Sequence, residues 1–202
     1  VNGGPLEAGS WYGQTDLQGT RFVGEGGHFI DTVSWWLGQD PVDVYATATP
    51  DDPDNLIASL TYGDGSIAKI AYVTHGDPKY PKEMMEVFAD GKVAKMDNFK
   101  RTEIWRGGKC SKARSASIDK GQKQEIHAFV NAVKSGGDMP VSIDSLFATT
   151  AASFAANSGS SASSRRPPTR CRRAPFPISG ARWTASSSAP DTSRRAIRAA
   201  RS

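Results

Sequence analysis

Residues 24–31 read Gly-Glu-Gly-Gly-His-Phe-Ile-Asp, the densest run of chemistry-bearing types in the chain. A neutral His28 can act as a general base at neutral pH. The three glycines allow a substrate to approach the backbone closely. A helix starting here offers unpaired N–H groups and a positive potential that lower the affinity of a nearby imidazole for a proton. Asp31 lies three residues further on, on the same helical face, where it can orient the ring or counter its charge. The plainer reading of the same residues is a helix cap, with His28 filling a polar pocket.

Other candidates are weaker. His127 sits beside the apolar stripe of its helix, as a boundary residue. His75 ends a strand before the loop THGDPKYPKE, whose Lys79 and Lys82 read as solvated charges. Asp51, Asp52 and Asp54 interleave with Pro50 and Pro53 and mark a turn. Trp11, Tyr12, Trp35 and Trp36 could line a pocket for sugar rings, although core packing explains the last two equally well. Cys110 and Cys171 make neither a disulfide framework nor a zinc site. No GxGxxG after a strand and no GxxxxGK[ST] occurs, so no phosphate-cradling loop is expected.

The elements that must position these groups follow from periodicity. Phe29, Ile30, Val33, Trp36 and Leu37 form one apolar stripe at helical spacing, and Gly38 ends that helix. After Pro41 the period becomes two. VDVYATAT is followed by LIASLTY, the turn GDGS and IAKIAYVT, with positive φ expected at Gly63 and Gly65. EMMEVFA–DG–KVAKMD and TEIWR–GG–KCSKAR read as two further hairpins, for about six or seven mostly antiparallel strands. Two helices close this part. One is expected to bury Ile126, Phe129, Val130 and Val133 and to end at Gly136. The other is expected to start at Ser142, to carry Asp144 in its first turn, to bury Ile143, Leu146, Phe147 and Phe154, and to reach about Ala156. Strands in sequence flanked by helices predict an α+β fold: a large, mostly antiparallel open sheet covered on one face by helices.

Charge divides the chain. Residues 1–157 carry 15 Lys+Arg against 20 Asp+Glu, a net of −5, whereas residues 158–202 carry ten arginines against Asp191, a net of +9. The second segment has eleven serines, no lysine and too little apolar surface to offset the entropy of ordering. It is therefore expected to be a disordered C-terminal tail. Its abrupt onset inside a helical pattern favours a non-native terminus, such as GC-rich coding sequence in the wrong frame. The alternative is a phosphate-binding nucleic-acid arm, disfavoured because Phe176 and Trp183 are its only aromatics. With no apolar run near the roughly 20 residues of a membrane span and no leader-like start, a cytoplasmic protein without membrane contact is expected.

The order of segments is more specific than any one of them. RFVGEGGHFIDTVSWWLG, VDVYATA, LTYGDGSIAKIAY, PKEMMEVFADGKVAKMDNF, KGQKQEIHAFVNAVKSG and PVSIDSLFATTAASFAA together resemble the C-terminal half of the glucose-fructose oxidoreductase/inositol dehydrogenase family (Gfo/Idh/MocA), over about residues 10–157. Members join an N-terminal Rossmann domain for NAD or NADP to a C-terminal domain with a large open sheet. That second domain supplies substrate contacts and often the oligomer interface.

The resemblance implies that residues 1–157 are a substrate-binding and oligomerisation domain. His28 would accept the proton of a sugar, cyclitol or nucleotide-sugar hydroxyl as hydride leaves for the nicotinamide. Many members carry aspartate four residues before this histidine, where this chain has Gly24. The nearest acid is Glu25, so Glu25 and Asp31 are the implied substrate-binding groups. The glycine fingerprint and the lysine of an EKP-type segment do not occur. The expectation is accordingly a chain that binds no NAD or NADP by itself and does not oxidise anything alone. It would take a small polyol or sugar and form a homo-oligomer through its sheet face. The alternatives are a non-catalytic binding or dimerisation module and a nucleic-acid binder acting through the arginine tail.

Overall fold

The computed structural model describes residues 1–7, 9–14 and 19–160. After a short 3-10 turn at Trp11–Gly13, a π-helical turn at Phe22–Gly26 runs directly into helix α1, Gly27–Leu37. Seven strands follow: β1 Pro41–Thr49, β2 Asp52–Tyr62, β3 Ile67–Tyr72, β4 Met84–Ala89, β5 Lys92–Asp97, β6 Arg101–Arg106 and β7 Lys109–Arg114. Helices α2, Gln122–Ser135, and α3, Ile143–Ser160, complete the order. The α+β class is as expected. All strand pairs are antiparallel, and they fall into two sheets, β1-β2-β3 and β4-β5-β6-β7.

Turn chemistry sets the hairpins. Asp90 and Gly91 both take positive φ between β4 and β5, as do Gly107 and Gly108 between β6 and β7, which suits two-residue turns between right-twisted strands. In the β2–β3 turn only Gly65 is left-handed, at φ 88°, and not Gly63 as well. There Asp64 accepts a hydrogen bond from the Ser66 amide at 2.9 Å, so its side chain shapes the loop instead of a second glycine.

The core lies under the first sheet. Strand β2 alternates strictly, turning Leu56, Ala58, Leu60 and Tyr62 inward, where they meet Ile70 and Tyr72 of β3, Ala46 of β1, and Phe22 and Ile30. Each large side chain so buried stabilises the fold by about 1.5–3 kcal/mol. Helix α1 packs with Ile30 buried and Phe29 and Val33 partly so, while Trp35, Trp36 and Leu37 remain exposed. Gly38 closes it in the left-handed conformation at φ 68°.

The last two helices depart from expectation. In α3 the residues expected in the core, Ile143, Leu146, Phe147 and Phe154, are all exposed, Phe147 by 69%. The helix instead turns Thr149, Ala152, Ser153 and Ala156 toward β1 and α1. These four recur at i, i+3, i+4 and i+7, a stripe as regular as the apolar one, and their small size lets the helix approach the sheet closely. In α2 the expected stripe of Ile126, Phe129, Val130 and Val133 is likewise exposed. Periodicity identifies an apolar face but does not say that the same chain covers it. The helix itself forms as expected and ends at left-handed Gly136.

The second sheet carries a ladder of alternating charge. Glu86, Lys95, Glu103 and Lys112 stand in register across β4 to β7, with Lys95–Glu86 at 3.5 Å and Lys112–Glu103 at 3.2 Å. Opposite charges directly across strands support this register and disfavour a slipped one. No helix among the described residues is long and apolar enough to cross a membrane. Of the Arg/Ser-rich segment 158–202, the first three residues continue α3, and the expectation of disorder from 161 onward lies outside the described residues.

Candidate functional site

Glu25 and His28 lie on the continuous helical stretch that begins with the π turn, so His28 is not at the helix start. The free end lies about two turns earlier. There the Phe22 amide donates to Asp54 Oδ1 at 3.1 Å and the Val23 amide to the Thr20 carbonyl at 3.1 Å. The helix-terminus potential invoked for His28 is therefore spent on Asp54, a residue that reads from sequence as part of a turn but sits in β2. Burial raises the affinity of Asp54 for its proton, and the Phe22 amide partly offsets that.

The glycines also do something other than expected. A Cβ on Gly26 would stand 2.7 Å from the Phe22 ring, and one on Gly27 would touch the Thr149 methyl at 3.6 Å. Gly26 is therefore consumed by packing, Gly27 has room for a Cβ in ordinary contact, and only Gly24 is exposed. Phe22 in turn meets Tyr72 edge to face, with ring centroids 5.9 Å apart.

Glu25 stands between two cations. Its Oε2 lies 3.2 Å from Lys82 Nζ and its Oε1 lies 4.0 Å from Arg21 Nη2. Arg21 is almost fully buried and donates to the Gly4 carbonyl from Nη1 and to the Gly3 carbonyl from Nη2, both at 2.8 Å, while its guanidinium faces the Tyr72 ring. Burial, with the Glu25 carboxylate beside it, pushes the Tyr72 hydroxyl well above the ordinary phenol range.

His28 is exposed, and its carbonyl accepts the Thr32 hydroxyl at 2.7 Å. Asp31 is half-buried. Burial raises its affinity for a proton, the nearby His28 lowers it, and the carboxylates of Asp40 and Glu125 raise it further. Asp31 and His28 thus interact through space, with no ion pair between them among the described residues. The structure brings Glu25, His28 and Asp31 onto one helical stretch, adds Arg21, Lys82 and Tyr72 around the first of them, and sets Asp54 against the Phe22 amide at its start. Sequence reasoning missed Arg21, Tyr72 and Asp54. One clue was present: Arg21 is the sole arginine before residue 101.

A second polar cluster holds His75. Its Nε2 lies 3.2 Å from Asp52 Oδ2, which also accepts the Thr74 hydroxyl at 2.7 Å and Asn55 Nδ2 at 3.1 Å. Burial alone would raise Asp52, but the hydrogen bonds from Thr74 and the Asp54 amide, with His75 nearby, hold it below the usual carboxylate range. This knot ties the start of β2 to the segment after β3. His127, Trp11, Trp35 and Trp36 are exposed. No group of three or more His, Cys, Asp or Glu that could hold a metal ion occurs among the described residues.

Comparison with known proteins shows what the fold is similar to. Residues 2–94 match the family model of the GFO/IDH/MocA C-terminal domain. Among solved structures, UDP-N-acetylglucosamine 3-dehydrogenase GnnA from Acidithiobacillus ferrooxidans is similar at 20% identity and TM-score 0.62, over 79% of this chain and 51% of that one. An aldose-aldose oxidoreductase from Caulobacter crescentus, complexed with glycerol, is similar at 17% identity and TM-score 0.60, over 78% and 51%. Biliverdin reductase from Synechocystis sp. PCC 6803, in complex with biliverdin and NADP+, is similar at 13% identity and TM-score 0.61, over 79% and 52%. The chain thus spans about half the length of these structures. No curated protein matches it.

Proposed function

We propose, from the match of residues 2–94 to the family model of the GFO/IDH/MocA C-terminal domain, that the chain is the substrate-binding part of an NAD(P)-dependent oxidoreductase acting on a hydroxyl of a sugar, cyclitol or nucleotide-sugar. The observation that carries this reading is the exposed imidazole of His28 on a helix that also bears Glu25, fixed between Lys82 and Arg21, and half-buried Asp31. A hydroxyl donating to Glu25 would sit on the same helix as the base that takes a proton from the reacting carbinol. Asp31 would steady the imidazolium formed, since a negative charge nearby favours the protonated ring.

The glycine run Gly24–Gly27 lies within a helical stretch, with Gly26 packed against the Phe22 ring, and so does not offer the open loop after a strand that receives a pyrophosphate. The hydride acceptor would be held elsewhere, and near-attack geometry would depend on that other part. The isolated chain is accordingly proposed to be inactive. Purified chain mixed with NAD+ or NADP+ and a sugar alcohol should give no change in absorbance at the reduced nicotinamide band, and turnover would overturn this part of the reading.

Binding is tested separately. Titration of the 15N-labelled chain with a free hexose, a cyclitol and a nucleotide-sugar should move amide resonances of Gly24–Asp31 with at least one of the three. Perturbation confined to other segments would overturn the site.

A second reading, a dimerisation module through the sheet face, is favoured by a specific feature. The side of β1–β3 away from the helices exposes Tyr45, Ile57 and Ile67, in register with Ser59, Ala71 and Thr61. The two readings are compatible, since one sheet face and one helix face are used.

A further inference from the structure

Val1–Gly4 is stitched into the fold on several sides at once. The Gly3 amide donates to the Val73 carbonyl at 2.7 Å and the Val73 amide to the Val1 carbonyl at 3.0 Å, which makes a short parallel bridge beside the end of β3. On the other side the Asn2 amide donates to the Lys82 carbonyl at 2.7 Å and Asn2 Nδ2 to the Asp77 carbonyl at 2.8 Å. A Cβ on Gly76 would collide with the Asn2 side chain, so the loop carrying Lys82 closes over that residue only because position 76 is glycine. The carbonyls of Gly3 and Gly4 then receive Arg21. Gly3 is also closely fitted, though less so than Gly76, since a Cβ there would stand 3.0 Å from Tyr72 Oη and 3.1 Å from Arg21 Nη2.

One side chain therefore joins three things: the segment Val1–Gly4, the π turn, and, across Tyr72, the end of β3. We propose that Arg21 is a positioning residue: its guanidinium, held by two backbone carbonyls and lying 4.0 Å from Glu25, fixes where that carboxylate stands on the π turn relative to Lys82 and His28. The assignment deepens the reading of Glu25 as a substrate-side group and rests on it for its functional meaning. The physical reason is geometric. A planar guanidinium can satisfy two carbonyls and still present positive charge to a carboxylate one turn along, whereas an ammonium keeps the charge near the carboxylate but does not also hold both carbonyls.

The test uses the full 202-residue chain and the variants Arg21→Met and Arg21→Lys. In Arg21→Met the Glu25 carboxyl 13C resonance at pH 7 should move. Amide hydrogen exchange over Gly24–His28 should also accelerate about tenfold or more relative to Ala58 and Leu60, as expected when charge-assisted hydrogen bonds are lost locally. In Arg21→Lys the charge near Glu25 persists but the two-carbonyl grip does not. The Glu25 resonance should stay close to its original position while exchange at Gly3 accelerates.

A folded Arg21→Met variant with an unmoved Glu25 resonance would overturn the proposal. So would an Arg21→Lys variant whose Glu25 resonance moves as far as in Arg21→Met, because the residue would then act as packing alone. Should Arg21→Met fail to fold, Arg21→Lys decides: a steady Glu25 resonance with faster Gly3 exchange supports the assignment, and the converse pattern overturns it. Failure of sugars to perturb Gly24–Asp31 would sink the substrate reading while leaving these carboxyl and exchange results as expected.

Discussion

The carboxylates respond to their surroundings in opposite directions, and that difference is measurable. Asp31 is raised by burial and by Asp40 and Glu125, so its folded form holds a proton more firmly than the unfolded chain does. Its contribution should fall as pH rises from the ordinary aspartate range through the raised value, because the folded state binds more protons in that window. Asp52 is lowered, so its contribution is present above the ordinary range and is lost as pH falls through the depressed value. Urea unfolding followed from pH 3 to 7 should show Asp31→Asn flattening the first dependence and Asp52→Asn the second. Equal curves for both variants and the parent would count against these environments. At the helix start, Asp54→Ala removes the acceptor of the Phe22 amide and should cost about 1–2 kcal/mol by the same measurement. These roles were not legible in DDPD, where three acids and a proline read as a turn. The β2 register alone carries Asp54 under the π turn.

At the level of elements, the informative contrast is between the two late helices. Both have an apolar stripe that periodicity identifies, and in both that stripe is exposed, Phe129 by 54% in α2 and Phe147 by 69% in α3. Helix α3 is held instead by Thr149, Ala152, Ser153 and Ala156. Ala152→Leu should therefore cost about 1–3 kcal/mol by forcing α3 off β1. Phe129→Ser in α2 should stay within about 0.5 kcal/mol of the parent chain, as for an exposed position. Thermal or urea unfolding of the two variants decides it. A large loss from Phe129→Ser would mean that its stripe is covered after all. The hairpins β4–β5 and β6–β7 were readable, because Asp90-Gly91 and Gly107-Gly108 specify both position and turn geometry, whereas the expected positive φ at Gly63 and the turn read over Asp52–Asp54 were not found. Hydrophobic rank favoured the larger residues of α3, whereas close approach to a sheet favours the smaller ones.

For the whole molecule, two sheets offer apolar surface that the described residues do not cover. Tyr45 and Ile57 lie on the bare side of β1–β3, Tyr45 exposed by 54%. If that side pairs copies of the chain, sedimentation velocity should report a dimer, and the double variant Tyr45→Lys, Ile57→Lys should shift it to monomer without loss of the far-ultraviolet circular dichroism. A parent chain that sediments as a monomer over the accessible concentration range would remove the dimer reading. The alternating ladder Glu86–Lys95–Glu103–Lys112 satisfies its charges within one sheet, so that face has less reason to bind a strongly charged partner.

Local pattern by itself determined the α+β class, about six or seven mostly antiparallel strands, the turns at Asp90-Gly91 and Gly107-Gly108, the end of α1 at Gly38 and the end of α2 at Gly136. Each depends on a period or a turn residue whose effect reaches only a few positions along the chain. Family resemblance, carried by the order of segments, pointed to His28, Glu25 and Asp31 as a group. Tertiary structure decided the rest: that the helix begins well before His28, that Gly26 serves packing, that small residues hold α3, and that Arg21 links Gly3 and Gly4 to Glu25. Those relations join residues far apart in sequence, and no periodicity records which distant carbonyl, ring or carboxylate will complete a buried charge.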